Sequence, residues 1–394
     1  MPTIRDGGWG SGVGLALNLI VTVIFVAVQW RIARILLRLA GRRSAARGAV
    51  FLFEAVLLAG YSLSFSELVP HLGIPGQIAL LMGAGILVYL ITATAVLAVY
   101  MAFKAIAKQL GAEVNPGRRR ALNAAGNVLM AAPFVVMGYG AMVERLDFRV
   151  REVDLPLPGL PLDLDGLRIL QLSDIHLSAF LHESDLARAI DMVRELRPHV
   201  AVVTGDLISF HGDPLDACIR QLARVKSDAG TFGCMGNHER YARVERQVVE
   251  AGARAGMRFL RGEAQTLRFG NSVLNLAGVD YQSLADRGHY LRGAERLVVP
   301  GAVNVLLSHN PDVFPVAARQ GYNLLLAGHT HGGQVTVEIL DQSINPARFF
   351  TPYVYGIFRA GRSAAYVTRG IGTIGIPARI GAPPEISVLR LRKA

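Results

Sequence analysis

The run Leu324-Leu325-Leu326-Ala327-Gly328-His329-Thr330-His331-Gly332-Gly333-Gln334 joins an apolar segment to a glycine, two histidines one residue apart, and two more glycines. The apolar part reads as a buried strand of a sheet covered on both faces. The glycines let the chain turn sharply where the strand stops. At that turn a His-x-His spacing can point both imidazoles into one cleft, and imidazole is a common ligand for zinc, iron, nickel and copper.

The same grammar recurs upstream. Arg168-Ile169-Leu170-Gln171-Leu172-Ser173-Asp174-Ile175-His176 is a strand that delivers an Asp and a His two residues apart. Val200-Ala201-Val202-Val203-Thr204-Gly205-Asp206 ends in Gly-Asp, and Thr231-Phe232-Gly233-Cys234-Met235-Gly236-Asn237-His238-Glu239 ends in Gly-Asn-His-Glu. Asn304-Val305-Leu306-Leu307-Ser308-His309-Asn310-Pro311 ends in a single His. Helices are predicted between these strands, at Glu183 to Leu196, at Pro214 to Val225, at Arg243 to Ala255 and around Pro315–Gln320. Residues Arg258 to Val279 hold short alternating runs that suit a hairpin. Strand, chemical residue and helix in repetition predict an α/β domain with its ligands at the carboxyl ends of strands. Gln334–Ile339, Ala364–Thr368 and Ile386–Leu391 read as strands of a second sheet.

The residues collected at these strand ends are Asp174, His176, Asp206, Asn237, His238, His309, His329 and His331. Carboxylate, amide and imidazole donors suit manganese, iron or zinc, and the absence of cysteine argues against a structural zinc knot. There are enough groups for two divalent ions. Ions about 3.5–4 Å apart can hold a hydroxide between them and clamp a phosphate for in-line attack.

In this order and spacing the chain resembles the calcineurin-like metallophosphoesterase family: Asp-x-His, Gly-Asp, Gly-Asn-His-Glu, a lone His, then Gly-His-x-His. The segment Arg369–Pro384, followed by Glu385-Ile386, further resembles the membrane-associated bacterial branch of YkuE- and YaeI-like proteins. The resemblance implies a four-layer αββα sandwich over residues 167–394, two mixed sheets flanked by helices. It implies that Asp174, His176, Asp206 and His331 hold one metal, and that Asp206, Asn237, His309 and His329 hold the other. His238 would then face the substrate, gripping phosphate or giving a proton to the leaving oxygen.

The first third of the 394 residues has a different character. Gly12 to Trp30, Ala49 to Val69, Gln77 to about Phe103, and Ala121 to Met142 are four apolar segments with charged punctuation. A bilayer takes about 20 residues as a helix, so residues 1–143 are expected to form an all-α transmembrane anchor of four helices. Residues 144–166 then serve as a polar linker and lead-in strand. Arg31, Arg34, Arg38, Arg42, Arg43 and Arg47 follow the first span, and Lys104, Lys108, Arg118, Arg119 and Arg120 follow the third. The positive-inside rule puts both basic loops in the cytoplasm and everything after Met142 outside. Arg118-Arg119-Arg120 also bears a likeness to an internal twin-arginine signal, although a plain basic flank accounts for it. The formal net charge of +11 is concentrated at these flanks, which favours a membrane over a nucleic-acid partner. Glu54 and Glu67 lie within a span, where acids can mark a transport path; so few polar groups fit an anchor better.

The expected whole is a multi-pass membrane phosphoesterase acting outside the cytoplasm on a phosphorylated, envelope or lipid-linked substrate. A phospho-ligand sensor or transporter and a nucleotide phosphodiesterase are the alternatives. Two cysteines, Cys218 and Cys234, make no disulfide framework, and Cys234 reads as a small buried hydrophobe. Of the remaining histidines, His182 and His211 lie in loops after ligand-bearing strands. Asp280 and Tyr281 follow an apolar run and are candidates to line the cleft.

Overall fold

A computed structural model describes residues 11–64, 76–109, 135–339 and 342–394. The chain divides into two compact units, Met1–Tyr139 and Gly140–Ala394.

In the first unit, helices α1 (Ser11–Ala40), α2 (Ser44–Ser64) and α3 (Gly76–Gln109) pack on one another. Phe25, Val28, Tyr61, Ile86, Leu90 and Ala93 form their shared core. The Phe25 and Tyr61 rings stack at 4.2 Å, and Gln29 Nε2 donates to the Tyr89 hydroxyl at 2.8 Å. Outside that seam the helices present Leu19, Val23, Phe51, Leu52 and Val56. Leu19–Arg38 and Ser44–Ser62 are long and apolar enough to cross a membrane; the corresponding apolar part of α3, Val88–Phe103, is shorter. Residues 135–142 are helical. The remainder of the expected fourth span, the Pro70–Gly76 turn as far as Pro75, Glu67 and Arg118-Arg119-Arg120 lie outside the described residues.

The second unit is built on two six-stranded sheets. The first contains β1 (Arg149–Leu157), β2 (Arg168–Leu172), β3 (Val200–Val203), β4 (Thr231–Gly233), β5 (Met257–Phe259) and β14 (Glu385–Lys393), in the order β1-β14-β2-β3-β4-β5. The second contains β6 (Glu263–Phe269), β7 (Ser272–Gly278), β8 (Val303–Leu307), β9 (Leu324–Ala327), β12 (Gly356–Ala360) and β13 (Ser363–Val367), in the order β12-β13-β9-β8-β7-β6. Alternate residues of every central strand point to opposite faces, so both faces must be apolar. Ile169, Val200, Val202, Val305, Leu307, Leu324 and Leu326 fill the space between the sheets. Leu170, Leu172, Ala201 and Val203 face the other way, against α4 (Glu183–Asp191), α5 (Leu215–Leu222) and α7 (Glu245–Arg254). On the far side, Leu306, Leu325 and Ala365 pack under α8 (Phe314–Gln320). The layers are therefore helix, sheet, sheet, helix.

Three expectations change. Ile386–Leu391 does not join the second sheet: β14 lies in the first, antiparallel to β2 and parallel to β1. Its alternation suits either sheet, and only the partners decide. Within Gln334–Ile339, Val335 makes an isolated bridge to Ile380, and the strand β10 (Val337–Ile339) pairs with β11 (Gln342–Ile344) in a separate ladder. The stretch read as a polar linker and lead-in strand is, from Arg149 onward, part of the sandwich. All of β1 pairs with β14, and Leu155, Leu157, Leu160 and Leu164 are buried between the sheets. The hairpin reading of 258–279 is matched by the antiparallel β6–β7 pair. Cys218 and Cys234 are free, and burial pushes both thiols up, so they behave as small hydrophobes.

Candidate metal centre

Strands β2, β3 and β4 run parallel in one sheet and β8 and β9 run parallel in the other. Their carboxyl ends bring the motif turns together. Asp174 and His176 follow β2, Asp206 follows β3, Asn237 and His238 open helix α6 (Asn237–Ala242) after β4, His309 follows β8, and His329 and His331 follow β9. The turns are laced by backbone bonds, with Asp174 N–H donating to Gly205 at 3.1 Å and Gly328 N–H to His309 at 3.2 Å.

Close approach is what the motif glycines permit. A Cβ at Gly236 would sit 2.1 Å from Asp206 Oδ1, and one at Gly328 would sit 2.2 Å from Asp174 Oδ2. Backbone strain is also stored here. Asp174, His176, Asp206, His329 and His331 all have positive φ, between 48° and 74°. Each such residue costs on the order of 1 kcal/mol and persists because the surrounding contacts over-determine it.

Asp206 stands in the middle. Its Oδ2 is 3.5 Å from His176 Nε2 and 2.9 Å from His309 Nε2, the latter out of line for a hydrogen bond. Asp174 Oδ1 lies 3.5 Å from His331 Nε2 and 3.8 Å from His309 Nε2. Three groupings emerge in which one donor atom per residue converges: Asp174 with His176 and His331, Asp206 with His309 and His329, and His176 with Asp206 and His238. The outer nitrogens are held from behind. His309 Nδ1 donates to the Thr204 carbonyl at 2.6 Å and His331 Nδ1 to the Gly372 carbonyl at 3.3 Å. Those bonds occupy Nδ1 and turn both Nε2 atoms toward the cluster.

The donor set fits divalent metal. Asp174 Oδ2, Asn237 Oδ1 and His309 Nε2 are buried without hydrogen-bond partners, a costly state for polar atoms unless something binds them. His176 Nε2 and His331 Nε2 face each other at 3.2 Å. The electrostatics of the bare protein point the same way. Burial pushes Asp174 up to about 6, with His309 opposing. Burial also works against the charge on Asp206, yet His309, His238 and His176 hold it well below the usual carboxylate range. Burial would lower His309, but Asp206 and Asp174 outweigh it and raise it to about 10. Burial and His309 pull His329 down to about 3, and burial with its neighbours holds His176 and His331 well below the ordinary imidazole value. Neutral imidazoles at His176, His329 and His331 and an ionised Asp206 are the protonation states a cation needs, while His309 holds a proton that a cation would displace.

His238 is half-buried at the rim. Its backbone N–H donates to Asp206 Oδ1 at 2.9 Å, and its Nδ1 donates to the Ser209 carbonyl at 2.6 Å, leaving Nε2 as the nitrogen presented to a ligand. Tyr281 reaches the site, 5.4 Å from the His329 ring and 6.1 Å from the His309 ring between centroids. Asp280 does not; it forms a two-pronged ion pair with Arg261 at 2.8 Å. His182 is exposed and pairs with Asp185 at the start of α4, and His211 contacts the Ala242 carbonyl.

Two buried charges that hold the site were not assigned roles from sequence. Glu239 accepts from the backbone N–H groups of Asp206 (2.9 Å), Leu207 (2.7 Å) and Gly236 (2.7 Å), tying two motif turns to one carboxylate. It is the last letter of Gly-Asn-His-Glu, so its type was visible and its job was not. Arg379 is fully buried and donates to the carbonyls of Gly372 (3.1 Å), Ala382 (2.9 Å) and Arg369 (2.9 Å). Burial lowers it to about 10, so it remains charged at neutral pH and braces the loop whose Gly372 carbonyl holds His331. Nothing local in the sequence marks it.

An α/β sandwich with carboxylate, amide and imidazole donors converging at one end is the architecture of a metal-dependent hydrolase. The model of the calcineurin-like phosphoesterases matches residues 167–333. The metallophosphoesterase YkuE of Bacillus subtilis is 31% identical over 65% of this chain and 89% of its own length. The phosphodiesterase YaeI of Escherichia coli is 30% identical over 57% of this chain and 82% of its own. A transmembrane protein with a metallophosphoesterase domain from Danio rerio is 32% identical over 66% of this chain, which spans only 61% of that relative. The chain belongs to the calcineurin-like phosphoesterase family.

Proposed function

We propose that the protein is a membrane-anchored phosphoesterase that hydrolyses a phosphate ester or pyrophosphate at a two-metal centre. The observation that carries this reading is the convergence of Asp174, His176 and His331 and of Asp206, His309 and His329, with the Asp206 carboxylate beside both His176 and His309 and buried donor atoms left without partners. Asp174, His176, Asp206 and His331 would hold one ion; Asp206, Asn237, His309 and His329 would hold the second. Oxygen and nitrogen donors without thiolate suit manganese, iron or zinc. Bound there, the ions supply Lewis acidity, withdrawing charge from the phosphoryl oxygens.

The chain's own groups do the rest. Glu239 keeps Asp206 and the Gly236 turn in register. His238 presents Nε2 at the rim, where it can grip a phosphoryl oxygen or pass a proton to the departing alcohol. The name of YaeI favours a diester among the possible substrates, and that of the fish relative favours a membrane setting. Four spans with the basic loops in the cytoplasm would leave the catalytic unit outside, facing envelope or lipid-linked phosphates.

The test uses the full-length protein in nanodiscs. After chelation it should be inert, and manganese should restore hydrolysis of a phosphomonoester, a phosphodiester or a lipid pyrophosphate. Failure on all three with manganese, iron and zinc each supplied would overturn the assignment.

A further inference from the structure

The rim of the metal centre carries aromatic side chains that metal binding does not require. Phe210 packs edge-on against the His238 ring with centroids 6.1 Å apart, and Tyr241 packs on the same ring at 5.5 Å. Tyr281 packs against the His329 and His309 rings. Phe210 is 44% exposed and Tyr241 46% exposed. Leaving such rings in water sacrifices the stabilisation that burial would give.

They are also held in place. Asp213 Oδ2 accepts from the N–H groups of Ser209 (3.0 Å) and Phe210 (2.8 Å), which fixes the turn that projects Phe210. Tyr241 rides on α6, whose first turn is tied down by Glu239. Rigid, partly exposed rings around a polar centre form a recognition surface, because little conformational entropy is lost when a ligand covers them. Between them these three side chains offer two hydroxyls and no charge. A polyhydroxylated sugar would find few partners there; an apolar group would find three faces.

Resting on the phosphoesterase reading, we infer that Phe210, Tyr241 and Tyr281 form an apolar subsite for the alcohol side of the ester. The substrate is then a phosphate ester of an apolar alcohol, with the phosphoryl group over the metal donors and an alkyl chain or planar ring in the aromatic slot. His238, in contact with both Phe210 and Tyr241, stands where the two parts of such a molecule would meet.

Phosphonates test this without turnover, since their P–C bond is not a substrate for ester hydrolysis. Methyl-, hexyl- and phenylphosphonate would be titrated calorimetrically into the manganese-loaded full chain in nanodiscs, with protein-free nanodiscs as control. A buried methylene contributes about 0.8 kcal/mol, or roughly fourfold in affinity. Hexyl- or phenylphosphonate should therefore bind at least about tenfold tighter than methylphosphonate. Hexyl ahead of phenyl identifies a chain, and phenyl ahead of hexyl identifies a ring. The surface variants Phe210→Ala and Tyr241→Ala should lose most of that preference while methylphosphonate binds as before. Equal affinity for all three ligands, or a preference that survives both substitutions, overturns the subsite and leaves the phosphoesterase reading standing. Absence of binding by any phosphonate overturns both.

Discussion

At the scale of the residue, His238 and His309 show how the same side chain is given different work by its neighbours. His238 has its Nδ1 committed to the Ser209 carbonyl and its Nε2 at the rim, and it is half-buried where His309 is wholly buried. His238→Ala should accordingly retain both metals by elemental analysis while turnover falls about 10²–10⁴-fold. Esters with very good leaving groups should suffer less, because they need no proton; equal damage across leaving groups would restrict His238 to gripping phosphate. His309 lies between Asp206 and Asp174, which raise it to about 10 against the effect of burial. Below that pH the metal-free histidine carries a proton that an incoming cation must displace. Metal uptake between pH 7 and 9 should therefore release protons, and affinity should rise by about tenfold per pH unit. Stopped-flow with a pH indicator reads this directly. No proton release at pH 8 would show that His309 is already neutral in the bare protein.

At the scale of the element, the lead-in strand illustrates what alternation alone can and cannot say. Arg149-Val150-Arg151-Glu152-Val153-Asp154-Leu155 has the period of a half-exposed strand, and half-exposed it is. Its role as a structural edge depends on β14, more than two hundred residues later, which pairs with it along its whole length. Leu155 is completely buried between the sheets. Leu155→Ala should lower unfolding stability by about 2–5 kcal/mol, measured by urea denaturation of the detergent-solubilised chain. A change within about 0.5 kcal/mol, typical of surface positions, would mean that this segment behaves as the linker its composition suggests. The motif turns, by contrast, could be read locally, because each is an apolar run, a glycine and a chemical residue in sequence.

At the scale of the whole molecule, the proposed orientation follows from the apolar segments and the charges that flank them. Two helices are long and apolar enough to span, and basic residues cluster after the first and third apolar segments. Lysine and arginine near span ends resist translocation, while long folded domains follow the orientation the spans impose. A reporter that works only outside the cytoplasm, fused after Arg151, should be active. If it is silent while a cytoplasmic reporter at the same junction is active, the fourth span fails to insert and soluble nucleotides become the accessible substrates. Sequence by itself made the expected donors legible: Asp174, His176, Asp206, Asn237, His309, His329 and His331 each sit in a motif a few residues long, and the apolar segments with their arginine flanks can likewise be read locally. Tertiary structure alone decided the partnerships. It sent β14 to the first sheet as the partner of the lead-in strand, made Arg379 the brace behind His331, and set Phe210, Tyr241 and Tyr281 beside histidines of the centre. Those outcomes depend on contacts between residues far apart in the chain, and local pattern carries no record of which distant surface a side chain will meet.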